Sequence, residues 1–157
     1  MDTQTPLTTV EKAAFLTEVD LFRDVPSDTL AELAARMEDG WHEPGDVLLE
    51  PDMPDVRLWV VLSGTLRVTR PDASRPDIGR GEAFGLLASL GLPQLETITV
   101  AERCRTLSVA PDEYLDAIAD STAFAIANLR ALGRRVRACE QDLRPSSSPP
   151  PDGDRTP

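Results

Sequence analysis

Between Trp41 and Val109 the apolar residues of this 157-residue chain change their spacing from helical to alternating, and that switch constrains the fold more than any other feature. Trp41 to Asp46 predicts a strand and a turn, and Val47 to Glu50 a short strand. Leu58-Trp59-Val60-Val61-Leu62 predicts a fuller strand. Ser63-Gly64 predicts a tight hairpin turn into a further strand, Thr65 to Thr69. Pro71 to Pro76 is a polar loop. Thr97 to Val100 and Arg105 to Val109 are two more alternating runs. Many short strands separated by turns predict a mainly β architecture, a double-stranded β-helix or jelly-roll barrel.

Helices flank the strands on both sides. Thr8 and Glu11 have the spacing of a capping box, predicting a helix over about Val10–Val19. A second helix starts at Pro26-Ser27, and Leu30, Leu33, Ala34 and Met37 give it one apolar face, with Gly40 as its stop. Beyond the strands, Pro111-Asp112-Glu113 starts a helix over Tyr114–Ala119. Asp120-Ser121 then caps a long helix ending near Leu143. Residues 144–157, RPSSSPPPDGDRTP, contain no apolar side chain and predict a disordered tail. The expected organisation is a flexible N-terminus over 1–9, one domain over 10–143 and the tail over 144–157.

The segment Gly81 to Ile98, GEAFGLLASLGLPQLETI, carries the chemistry. It resembles the phosphate-binding cassette of the cyclic nucleotide-binding domain family, whose usual pattern is G-E-x-F-G-E-[LIM]-[AS]-L-L, a short loop, then P-R-[ST]-A-[TS]-[VA]. Gly81, Glu82, Phe84, Gly85, Leu87, Ala88, Leu90, Pro93, Thr97 and Ile98 keep that frame. The order and spacing of Leu21-Phe22, Val25-Pro26, Pro44 to Leu48 and Leu58 to Val68 are similar to the same family. The resemblance covers roughly residues 10 to 143 and implies an effector domain of the catabolite activator protein type.

The resemblance also implies a ligand pocket at Phe84, Gly85, Leu86, Leu87, Ala88, Gln94, Glu96 and Thr97. In the family a glutamate holding the ribose 2′-hydroxyl stands at the position of Leu86. An arginine pairing with the cyclic phosphate stands at the position of Gln94. A charged hydrogen bond contributes about 1.5–3 kcal/mol and a neutral one about 0.5–1.5, so glutamine for arginine costs roughly tenfold in affinity. Leu86 leaves a ribose hydroxyl without an acceptor. Glu96 replaces a small residue and sets a carboxylate where a phosphate would lie. Three readings stay open: a cassette kept as a structural loop with Leu86 filling the pocket, a pocket for a less charged or apolar ligand, and a nucleotide held by backbone amides, Gln94 and Thr97.

Leu129, Leu132, Val136, Cys139 and Leu143 follow a heptad spacing along the last helix. In related transcription factors the corresponding helix forms the dimer interface, so the resemblance implies a homodimer. The alternative is that this face lies on its own barrel.

The remaining observations narrow the function class. With a formal net charge of −11 the chain repels a phosphate backbone, so DNA binding by this chain alone is not expected. No apolar run approaches the ~18 residues of a membrane span, and no secretory signal is visible, so a cytoplasmic protein is expected. Cys104 and Cys139 match no metal or redox spacing and read as reduced, buried residues. His42 is the sole histidine, which leaves no His-based metal cluster or triad. No nucleophile elbow or paired catalytic carboxylates occur, and neither catalytic residues, metal nor cofactor is expected. The sequence thus predicts a non-catalytic regulatory or scaffolding module that has lost binding of cAMP and cGMP and acts on a protein partner. The alternative is a small-molecule sensor for another ligand, or weakly for a cyclic nucleotide.

Overall fold

A computed structural model describes residues 5–73 and 75–143; the tail expected over 144–157 lies outside them. The elements run α1 (Thr9–Leu16), a 3-10 turn (Asp20–Phe22), α2 (Ser27–Arg36), β1 (Glu38–His42), β2 (Val47–Leu49), β3 (Leu58–Thr69), β4 (Ala83–Phe84), α3 (Leu86–Ser89), β5 (Thr97–Val109), α4 (Pro111–Asp120) and α5 (Thr122–Leu143). The expected β-sheet with N-terminal helices and a C-terminal helical pair is present. The five strands form one antiparallel sheet in the order β1-β5-β3-β4, with β2 also on β5. This sheet rolls without closing into the expected barrel. Its path begins and ends at edge strands, and β4 has only two residues with which to continue it.

The largest departure from expectation lies in the two central strands. Ser63-Gly64 is not a hairpin turn. β3 runs straight through it, and β5 likewise joins the two short strands expected over 97–100 and 105–109. The β3–β5 register shifts between Val61 and Ser63, Ser63 and Thr65, and Thr65 and Leu66. An extra residue in one strand exchanges its two faces. Leu58, Val60 and Leu62 accordingly join the core under the helices, whereas Leu66 and Val68, of the same parity, join a second core with Val61, Leu49, Phe84, Ile98 and Val100. One bulged strand thereby serves two cores.

The helices are built locally much as expected. Thr8 Oγ1 accepts from Glu11 N at 3.2 Å, and Glu11 Oε2 from Thr8 N at 2.9 Å, which completes the capping box of α1. α1 ends at Leu16 and gives way to the 3-10 turn. The face Leu30, Leu33, Ala34 and Met37 is buried, but α2 stops at Arg36 because Met37 is extended, and Gly40 lies inside β1 opposite Thr106. Ser121 Oγ caps α5 by accepting from Phe124 N at 3.1 Å. α4 and α5 are fastened by Phe124, which meets Tyr114 edge-on and Phe22 in a stack, and by a hydrogen bond from the Tyr114 hydroxyl to Asn128 Oδ1. No described helix is long and apolar enough to cross a membrane.

Candidate functional site: a cavity beside the short helix α3

The segment 81–96 forms one wall of a cavity because two glycines permit its turns. Gly81 (φ +84°) donates to Val61 O at 2.9 Å, docking the segment on β3. Gly85 (φ +84°) turns the chain from β4 into α3, and a Cβ there would lie 2.2 Å from Arg57 O. Only glycine fits both the conformation and the contact. After it, Leu86 is 2% exposed and packs into the core under the helices, while Leu87 is half exposed.

The cavity measures about 670 Å³. Of the expected pocket residues, Phe84, Gly85, Leu86, Leu87, Gln94 and Glu96 line it, whereas Ala88 and Thr97 do not. Thr97 instead pairs with Thr69 at the end of the β3–β5 ladder. Leu86 borders the cavity and is at the same time packed into the core under the helices.

Two residues that sequence reasoning passed over bring positive charge to the cavity. Arg70, directly after β3, and Arg75, in the loop beyond, both line the cavity. Glu96 Oε1 stands 3.0 Å from Arg75 Nη1 and 3.6 Å from Arg70 Nη1. The carboxylate expected to repel an anion is therefore already matched by two guanidiniums. Arg70 also meets Asp72 at 3.3 Å. The only sequence signal was one arginine just before a polar loop and a second inside it. Gln94 Nε2 donates to Glu96 O at 2.7 Å, so its amide braces its own loop.

The groups with displaced pKa values lie off this cavity. Burial lowers the pKa of His42, against an opposing pull from Asp46. Burial and the Asp46 and Glu43 carboxylates push the Cys104 thiol up to about 11. Burial also raises the Tyr114 phenol. Asp39 is pushed up by burial but ends below its ordinary value, because Arg105 and the Leu7 amide bond its carboxylate. Among the described residues, no group of three or more His, Cys, Asp or Glu side chains is placed to hold a metal ion.

The family model described as cyclic nucleotide-binding domain matches residues 41–121, slightly more than half of the chain. The chain belongs to the cyclic nucleotide-binding domain family. This cyclic nucleotide-binding domain is similar in structure to the N-terminal domain of a transcriptional regulator from Streptomyces coelicolor A3(2), at 26% identity and TM-score 0.68, covering 84% of this chain and 99% of that one. The sensor domain of the transcriptional regulator DNR from Pseudomonas aeruginosa shares the fold at 17% identity and TM-score 0.70, covering 88% and 97%. Thermus thermophilus catabolite activator protein shares it at 20% identity and TM-score 0.69, covering 79% of this chain and 61% of that one.

Within this cyclic nucleotide-binding domain the expected dimer stripe divides. Phe124, Ala127, Asn128 and Ala131 form the buried face of α5. Leu132 packs at the edge of the core, and Cys139 lines the cavity, exposed rather than buried. Leu129 and Val136 point outward, 68% and 57% exposed. Leu143 is the last residue of α5, and its side chain lies outside the described set. The outward apolar stripe is Ile126, Leu129, Gly133 and Val136, at steps of 3, 4 and 3. Arg135 and Cys139, also on α5, border the cavity, so one helix both lines the pocket and carries this exposed stripe.

Proposed function

We propose that this is a non-catalytic regulatory module of a bacterial cytosol that does not recognise cAMP or cGMP in the family's usual way and signals through protein contacts made by α5. The observation that carries this reading is the fate of the two ligand positions. Leu86 is locked in the core, and the Gln94 amide is engaged by Glu96 O, so neither offers a charge to ribose or phosphate. The partner surface is the stripe Ile126, Leu129, Gly133 and Val136. Its heptad spacing and a glycine with open space at its Cβ suit close packing against the same helix of a second copy. Titration calorimetry with cAMP and cGMP tests the first half: no heat at submillimolar nucleotide is expected, and saturable binding refutes it. Light scattering tests the second half: a dimer is expected, with L129E and V136E reducing it to monomer, and a wild-type monomer refutes it.

A second reading is favoured by the cavity itself. About 670 Å³ lies within the size range of ligand pockets, and it is bordered by both the α3 wall and α5. A ligand there would bear directly on the helix that carries the contact surface, which is the arrangement of a small-molecule sensor.

A further inference from the structure

We propose that the cavity binds an organic monocarboxylate with an apolar body, whose head group displaces Glu96 from Arg70 and Arg75. This rests on the sensor reading above and names its ligand class. The protein's own carboxylate shows what the arginine pair accepts. One oxygen, Glu96 Oε1, is shared by two guanidiniums at 3.0 and 3.6 Å, so a carboxylate is the group that already fits between them. The pair comes together through the β3–β5 ladder. Thr69 is in register with Thr97, which carries Arg70 and Glu96, one residue beyond, to the same end of the sheet. The ion cluster is partly sheltered: the side chain of Glu96 is 19% exposed and that of Arg70 is 23% exposed.

The rest of the wall suits an apolar body. Leu49, Val68, Phe84, Leu87, Leu95 and Ile98 line the space. The other charges on the wall are Asp20, Asp77, Glu82 and Arg135. Asp20 is paired with Arg23 and Arg134, and Glu82 Oε2 accepts from Gly79 N at 2.6 Å. With these acids on the wall a dianion is disfavoured, and a single negative charge suits an arginine pair already met by Glu96 and Asp72. Glu96 acts as a tethered competitor. A ligand binds only to the fraction of molecules in which Glu96 has swung away, so its apparent affinity is lowered by that fraction.

The test is calorimetric titration of the full chain with octanoate, with octanol as its uncharged counterpart and cAMP as a separate arm. Wild type, E96Q, R75Q and R70Q/R75Q are compared, each checked for folding by its melting midpoint. Octanoate is expected to bind wild type, to bind E96Q about fivefold tighter or more, and to lose about tenfold or more in R70Q/R75Q. R75Q, at a half-exposed position, falls between and keeps the comparison valid should the double variant unfold. Octanol is expected to bind no variant in an arginine-dependent way. Absence of octanoate binding in E96Q, or equal binding in wild type and R75Q, overturns the proposal. Binding of cAMP overturns the loss of nucleotide recognition and leaves the octanoate arms to be judged alone. Failure of octanoate with a dimer that L129E disrupts overturns the ligand and leaves the α5 reading standing.

Discussion

Gly64 lies so close to Arg103 that a Cβ on the glycine would stand 2.3 Å from the arginine's carbonyl oxygen. This close approach occurs where β3 changes register against β5, at the bulge between the two cores. The backbone there has φ +90°, a conformation that side chains resist.

G64A is therefore expected to be among the most damaging small substitutions in the chain. A left-handed alanine costs about 1–2 kcal/mol, and forcing a methyl into a packed contact costs about 1–3 more. Urea denaturation checks this. The midpoint should fall while the slope against denaturant stays unchanged, since the surface exposed on unfolding is the same. A loss below about 0.5 kcal/mol, the level of an ordinary surface change, refutes it.

Asp39 and Arg105 join β1 to β5 by two hydrogen bonds, Nε to Oδ1 at 2.8 Å and Nη2 to Oδ2 at 2.5 Å, and Asp39 Oδ2 also accepts from Leu7 N at 2.9 Å. Both side chains are largely covered. D39N is expected to destabilise by about 1.5–3 kcal/mol at neutral pH, the range for a charged hydrogen bond. The Asp39 pKa is lowered in the folded state, so its contribution is present above the ordinary value of 3.8 and is lost as pH falls through the folded value. The gap between wild type and D39N should therefore narrow in acid. A gap independent of pH down to 3 refutes the assignment.

How much of this was legible in the sequence depends on how local each cause is. The capping box of α1, the buried face of α2 and the Gly81–Gly85 wall were readable, because each is set within a few residues. The continuity of β3 was not. A Ser-Gly pair between alternating runs is the signature of a hairpin and equally of a bulge, and only the β5 partner decides between them. Leu86 and Gln94 could be read from the sequence as uncharged residues because the resemblance to the family aligns them with its glutamate and arginine. Arg70 and Arg75 could not be placed at the site, since some twenty residues separate them from Glu96 and only the Thr69–Thr97 register unites them. The α5 stripe divides between two faces, because helical spacing alone does not say which side the core takes. Leu132 went to the core edge, and Ile126 and Gly133 took places on the outer stripe.

His42 meets Thr106 Oγ1 through Nε2 at 2.9 Å and Trp59 edge-on at 5.5 Å between ring centres. Burial lowers its pKa below the ordinary 6.5. The unfolded chain then binds a proton that the folded chain resists, so stability is full above pH 6.5 and falls as pH drops through that value toward the folded pKa. Chemical denaturation from pH 7.5 to 5 should show this decline, and H42Q should remove that part of it. An unchanged pH slope in H42Q rules out His42 as the source.

The most instructive substitution for the site is L86E, which restores the carboxylate that the family places at this position. In a pocket kept merely vacant it would be tolerated and would rebuild half of a nucleotide site, with Q94R supplying the rest. Leu86 is 2% exposed and packed under the helices, so a carboxylate there would instead stand uncompensated in a core. Such a charge costs about 3–5 kcal/mol, and the group lessens the penalty by taking up a proton. L86E is expected to lower stability by roughly that amount at pH 7.5. It should also be less damaging at pH 5, because a carboxyl whose folded pKa is raised favours the folded state as pH falls. Denaturation at the two pH values measures this. An L86E/Q94R chain that keeps its wild-type midpoint and binds cAMP would show that Leu86 guards a recoverable ribose site. A pH-dependent loss of stability without binding would show that the residue has been absorbed into the core.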